Sequence, residues 1–250
     1  MILRGSMGLG DAIYLYPVIK YFVDRGEDVT ILTRYPEIFA PLKCKAVLEK
    51  DFLDCSCSAR TILPETNIFE DTLIMAGIKE KLPLKFEYQK SVDFKIHTSK
   101  KICVVRVPTT PAKGEEDAKI MTPDKSVFQN IINSFRDRVY FVALGQQKNC
   151  DIKLSGVDLD MTATDKLADL FAIIDAAEIV LTQPGHFVPI AEALSKKLLT
   201  VFARAGLESQ EKRFRFTTPA KILTRQESVW CIDDEPTEKY LKKFEALIND

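Results

Sequence analysis

Gly8-Leu9-Gly10-Asp11, near the start of the chain, has the residue types and order of a chemical site. It lies between an apolar opening, Met1-Ile2-Leu3-Arg4, and a stretch with helical apolar spacing. A glycine turn entering a helix exposes backbone N–H groups and the positive end of the helix dipole, which together attract phosphate. Here Asp11 already sets a carboxylate at that electropositive end, so a pyrophosphate would meet like charge. Ile13 also stands where the third glycine of a dinucleotide fingerprint belongs. The turn therefore presents a carboxylate, either as a general base or as the cap of its own helix. The glycines flanking Leu9 point to close approach by a second group.

A second turn, Gln183-Pro184-Gly185-His186-Phe187, follows the apolar run Ile179-Val180-Leu181-Thr182 and carries no acidic residue. Backbone N–H groups at the start of the next helix would receive an anion there, and His186 either donates to it or faces solvent. Arg106 lies at the end of the apolar run Ile102-Cys103-Val104-Val105, where a cation reaches a diphosphate or a ribose. Lys113, in the loop beyond, reads as a solvated residue. Glu192, on an otherwise apolar helix, either accepts from ribose hydroxyls or faces solvent. Asp158-Leu159-Asp160 has a metal-binding spacing but no further acidic cluster, so it reads as a strand end before a helix capped by Thr164. Cys55-Ser56-Cys57 with Cys44 lacks matching histidines or a second close pair, and the six cysteines are expected to be free thiols. No metal and no cofactor are expected. Arg34, after the second strand, suits a 2′-phosphate and keeps an NADP-dependent oxidoreductase as the alternative.

Positioning these residues falls to alternating strands and helices. A helix after Asp11 carries Leu15, Ile19, Phe22 and Val23 on one face, with Pro17 expected to loosen its first turns. Strands are expected at 28–33 and 45–48, a short irregular turn of helix at 36–42, and a helix from Asn67 to Gly77. After residue 100 the alternation restarts. Strands are expected at 102–107, 139–144, 179–182 and 198–202, and helices opening at Thr122-Pro123, after Thr164, at Pro189 and at Glu238. The economical reading is an α/β chain of two Rossmann-like halves facing each other across a cleft. They span residues 1–98 and 99–250, the terminal helix being able to pack back on the first.

Composition narrows the partners. The 250 residues are 46% hydrophobic and 28% charged, as in an ordinary globular protein, and the net charge of -1 provides no field for nucleic acid or an anionic membrane. Lys79, Lys81, Lys85, Lys90, Lys95, Lys100 and Lys101 are interleaved with Glu80, Glu87 and Asp93 and read as solvated surface. No apolar run of about 18 residues and no leader-like segment is present, so a cytoplasmic location is expected.

Leu3-Arg4 with Gly8-Leu9-Gly10-Asp11-Ala12 and Tyr16-Pro17 resembles the start of the family 9 glycosyltransferases, the ADP-heptose:lipopolysaccharide heptosyltransferase group. So does the region from Asp169-Leu170 to Thr182, followed by Ile190-Ala191-Glu192-Ala193-Leu194. The resemblance implies a GT-B fold, with the acceptor against the N-terminal half and a nucleotide diphosphate sugar against the C-terminal half. It matches Asp11 to the catalytic aspartate of an inverting, metal-independent transfer, with Gly8, Leu9 and Gly10 on the acceptor side. Arg106, Gln183, Gly185, His186, Phe187 and Glu192 are then expected to bind the nucleotide sugar, and the acceptor is a glycan, a small molecule or a modified base. The chain departs from the family at the second turn, where Gln183-Pro184-Gly185-His186 replaces an acidic–small–glycine segment and Pro189 stands where histidine is usual. A non-catalytic nucleotide-sugar-binding protein is the further alternative.

Overall fold

A computed structural model describes residues 1–4, 8–48, 66–90, 94–106, 108, 121–145, 153–164, 166–214 and 218–249. Cys55, Cys57, Lys113 and Cys150 lie outside the described residues. Strands β1 (Ile2–Arg4), β2 (Thr30–Thr33) and β3 (Lys45–Leu48) form a parallel sheet in that order. A second parallel sheet contains β4 (Lys101–Arg106), β5 (Val139–Leu144), β6 (Leu159–Met161), β7 (Ile179–Thr182), β8 (Lys197–Phe202) and β9 (Val229–Ile232). Its order is β6-β5-β4-β7-β8-β9. Numbered from β4 as the first strand, that is the doubly wound order 3-2-1-4-5-6, whose direction reverses between β4 and β7.

The central strands are apolar on both faces, as a covered parallel sheet requires: Cys103, Val104 and Val105 of β4 and Ile179, Val180 and Leu181 of β7 are wholly buried. Helices cover both faces. Against one lie α1 (Leu9–Asp24), α4 (Leu167–Ala176) and α5 (Phe187–Ala193). Against the other lie α3 (Lys125–Phe135) and α8 (Thr237–Asn249), with Phe128, Phe141 and Phe244 at the centre. The first core is continuous from Ile31 and Phe39 of the N-terminal half, through Ile13 and Tyr16 of α1, to Val104, Val180 and Phe187. The two halves thus share apolar packing where α1 meets α5. Helix α2 (Ile68–Met75) packs on the outer side of α1 through Phe69 and Leu73. Asn67 starts it with a reciprocal cap, accepting from Phe69 N and Glu70 N while Glu70 Oε2 accepts from Asn67 N.

Several local expectations are corrected. Helix α1 is buried on two sides, by Ala12, Ile13, Tyr16 and Ile19 on one and Tyr14 and Val18 on the other, because both the sheet core and α2 flank it. It runs unbroken through Pro17. The cap of α3 is Asp124, which accepts from Ser126 N at 2.8 Å; its own N–H donates to Asp233 Oδ2 at 3.1 Å, which sets the helix start two residues beyond Thr122. Thr164 instead closes the turn after β6 by donating to Met161 O at 2.9 Å. Helix α5 begins at Phe187, so Pro189 falls in the first turn, where a missing N–H removes no intrahelical bond. The terminal helix packs on β8, β9 and α3, within its own half. Helices α6 (Arg204–Phe214) and α7 (Thr218–Ile222), and strand β9, had no clear sequence signal. Among the described residues no helix is long and apolar enough to cross a membrane.

Candidate active site

At the reversal point, β4 ends on Arg106 and β7 leads into the second turn, Val105 being paired with Leu181. In such sheets ligands bind outside the carboxyl ends of the strands at this point. Gly185 has φ of +145°, a conformation reserved for glycine, and is exposed. A Cβ there would overlap Arg106 Nη1 and come within 3.3 Å of Cζ, so the guanidinium lies directly against the turn. Its Cζ is 5.4 Å from the centroid of the Phe187 ring. Strand-end cation and second turn, 79 residues apart in sequence, are one structure.

His186 lies beside them, its imidazole edge-on to Phe187 with centroids 5.1 Å apart. Its Nε2 is buried and has no hydrogen-bond partner among the described residues. Burial first, and the Arg106 charge second, hold the imidazole pKa down to about 3. The ring is therefore neutral at pH 7 and too weak a base to accept a proton from a hydroxyl group. In the unfolded chain the same imidazole titrates near ~6.5. Below that pH the unfolded chain takes up a proton that the folded chain refuses. The stability present above pH ~6.5 is thus lost as pH falls toward 3, by at most ~1.4 kcal/mol per pH unit. Urea unfolding of wild type and His186→Phe between pH 7 and pH 5 should show this slope only in the wild type; an equal slope in both would assign it to other groups.

The second turn meets the first. A Cβ on Gly10 would lie 3.2 Å from Pro189 Cγ and 3.4 Å from His186 Cα, so the group that approaches this glycine is the start of α5. A Cβ on Gly8 would lie 2.9 Å from Asp11 Oδ2, so the carboxylate folds back over the residue that precedes its helix. Asp11 is half-buried in the first turn of α1, one residue from the contact with His186. Tyr35, unforeseen in the sequence, lies within the field of Asp11: its phenol pKa is raised chiefly by burial, with Arg34 opposing the rise and the Glu37 and, least, Asp11 charges adding to it.

Two searches by sequence find nothing: no family model and no curated protein matches the chain. Solved structures do resemble it. The glycosyl transferase family 9 protein of Veillonella parvula superposes with a TM-score of 0.67 at 9% identity, over 99% of this chain and 96% of the other. E. coli heptosyltransferase WaaC with ADP gives 0.66 at 10% identity, over 98% and 99%. E. coli ADP-heptose lps heptosyltransferase II gives 0.64 at 10% identity, over 99% and 98%. This chain has a GT-B fold.

Within this GT-B fold, a cavity of about 470 Å³ opens at the end of β6 and the start of α4, lined by Phe94, Met161, Thr164, Lys166, Asp169 and Ile173. Met161 pairs with Leu144, and Leu144 with Arg106, so the cavity wall and the end of β4 are in backbone register across three neighbouring strands. Two strand spacings put the backbones of Arg106 and Met161 roughly 10 Å apart.

The other expected site residues differ in their surroundings. Leu9 and Phe187 are core side chains, and Phe187 serves the site only by supporting Arg106. Gln183 is buried, and its carbonyl accepts from Thr182 Oγ1 at 2.8 Å. Glu192 is neither solvent-facing nor directed at the turn. It is 1% exposed and accepts from Thr224 N, Thr224 Oγ1, Arg225 N and Ser228 Oγ, fastening the segment that leads to β9. Burial raises its pKa against those hydrogen bonds. Asp158 accepts from Phe141 N and Asp160 from Thr162 N and Oγ1, which accounts for the D-x-D spacing as strand-end bonding. Among the described residues no His/Cys/Asp/Glu group is arranged to hold a metal. Arg34 is exposed beyond β2, in the other sheet from the reversal point. Lys90 pairs with Asp175 at 3.3 Å and Lys100 donates to Arg136 O, so the lysine-rich stretch is partly tied down.

Proposed function

We propose that this chain is an inverting, metal-independent glycosyltransferase that moves a sugar from a nucleotide diphosphate sugar to an acceptor hydroxyl. The observation that carries this reading is the meeting of Arg106, the Gly185 turn and the first turn of α1 at the reversal point of the sheet. The diphosphate lies at the exposed Gly185 beside Arg106, and the nucleoside runs toward the cavity at Met161, whose strand position is in register with that of Arg106. Helix α5 has only seven residues, so its dipole is short and Arg106 supplies most of the positive charge. Asp11 takes the proton of the acceptor hydroxyl as its oxygen bonds to the anomeric carbon from the face opposite the diphosphate. The bond from that carbon to the diphosphate breaks, its electron pair leaves with the phosphate oxygen, and Arg106 stabilises the charge. Residues 1–98 are the acceptor side and 99–250 the donor side, and the acceptor is a glycan, a small molecule or a modified base. The resemblance to structures named as heptosyltransferases supports the donor class.

A thermal-shift panel of ADP, GDP, UDP, their common sugar derivatives and NADPH tests the reading. A nucleotide at a hundred times its dissociation constant stabilises by about 2.7 kcal/mol. The expected result is stabilisation by one nucleotide diphosphate, and release of that nucleotide from its sugar in the presence of acceptor and EDTA. Stabilisation by NADPH alone would favour the oxidoreductase. Nucleotide-sugar binding without transfer would favour the non-catalytic protein, and strict dependence on a divalent ion would overturn the metal-free step.

A further inference from the structure

We infer that Lys221 is a positioning residue for sugar transfer: its buried ion pair with Asp71 holds α1, and with it Asp11, in one place against the second turn. This role rests on the function proposed above for Asp11. Lys221 lies in α7 of the C-terminal half and Asp71 in α2 of the N-terminal half. Their charged ends are 3.1 Å apart and covered, and Lys221 also donates to Thr66 O, just before α2. From Asp71 the path to the base is short. Phe69 and Leu73 of α2 pack against Tyr14 and Val18 of α1, with the Tyr14 and Phe69 rings stacked at 6.3 Å. Tyr14 is about one helical turn beyond Asp11, and its hydroxyl donates to Ile222 O, next to Lys221. The path from Lys221 to the donor side is as short. Thr224, Arg225 and Ser228 bond to the Glu192 carboxylate on α5, the helix that the second turn enters.

The apolar contact between α1 and α5 is non-directional and tolerates sliding. The segment 219–228 ties the same two helices again through charges and hydrogen bonds, which accept one geometry and make the contact rigid. The use of charge here points the same way. A buried ion pair is often no more stabilising than apolar side chains of similar size, so stability alone does not call for one. A general base does call for exact placement, because it works only within hydrogen-bond reach of its proton, and a 1 Å displacement costs about 10²-fold.

The test separates position from stability. It compares wild type, the double variant Asp71→Leu with Lys221→Met, and the milder Tyr14→Phe, which keeps the ring on Phe69 and loses the bond to Ile222 O. Each is measured at a temperature where its melting curve shows it folded. The probes are ADP, GDP and UDP by calorimetric titration, the tightest deciding, and the sugar derivatives of that nucleotide for the transfer rate at saturating acceptor. Hydrogen exchange of α1 amides is a third readout that needs no substrate. In the double variant we expect a melting temperature near that of wild type and nucleotide affinity within about twofold, because Arg106 and Gly185 are untouched. Transfer should fall by about tenfold or more, and α1 amides should exchange about tenfold faster while β4 and β7 keep the wild-type rate. Tyr14→Phe should lose transfer in the same direction, by about threefold, again with nucleotide affinity retained. Wild-type transfer in both variants, or unchanged exchange in α1, would reduce the pair to a stabilising contact and overturn the inference. Nucleotide affinity that falls in parallel with transfer would overturn it too, by showing damage to the whole fold. If wild type transfers no sugar from any of these donors while α1 exchange responds as expected, the function proposed for Asp11 fails, and the positioning role with it.

Discussion

Asp11→Asn is expected to reduce sugar transfer by about 10²-fold or more while leaving nucleotide affinity within a few-fold of wild type. The amide matches the carboxylate in size, so it can occupy the same place over Gly8 and leave the contact between Gly10 and α5 undisturbed. It has no basic oxygen to take the acceptor proton. Its loss of negative charge at the start of α1 removes a dipole interaction worth about 0.3–1 kcal/mol, too little to unfold the chain. Turnover number, nucleotide dissociation constant and melting temperature, measured together, separate the two roles of this residue. A variant that transfers sugar at nearly the wild-type rate and melts slightly lower would reduce Asp11 to a favourable charge in the first turn of α1.

The largest expected loss of stability comes from Lys221→Met. Lys221 in α7 and Asp71 in α2 form an ion pair at 3.1 Å and are 5% and 2% exposed. Lys221 also donates to Thr66 O, and Thr66 Oγ1 donates to Asp71, so the buried charges are well bonded. Next to this pair, Tyr14 of α1 donates to Ile222 O at 3.3 Å, and two residues further on Glu192 of α5 accepts from Thr224. One short strap thus joins α1, α2 and α5. Removing the lysine leaves Asp71 buried without its counter-charge, at a cost of about 3–5 kcal/mol. The double variant Asp71→Leu with Lys221→Met should recover most of that, because a buried pair replaced by apolar side chains is often neutral. Urea midpoints, with unfolding slopes compared, check both expectations; equal stability of wild type and Lys221→Met would show that water reaches the pair. A double variant no better than the single would mean that shape, not charge, decides this contact.

Local chemistry made much of the frame legible in the sequence. The apolar runs 139–144 and 179–182 are β5 and β7 to the residue, and Gly77 follows the helix that Asn67 starts. Such runs are readable because a strand buried on both faces must be apolar throughout, whatever lies next to it. Arg106, Gly185 and Asp11 were legible as candidates for a related reason: strand ends and first helical turns are fixed by short-range geometry. What those residues touch was not. Two glycines in one turn announce close approach, but only the packing of the two halves decides that the visitor at Gly10 is Pro189, whereas Gly8 meets Asp11 within the same helix start. Glu192 on an apolar helix looks the same in sequence whether it faces solvent, a ribose or the N–H groups of Thr224 and Arg225, 32 and 33 residues away. Lys221 and Asp71 are separated by 150 residues, and neither carries a local signal of burial. Periodicity encodes which residues turn inward along one element, whereas a buried charge is settled by the partner that another element delivers, and that partner exists only once the chain has folded.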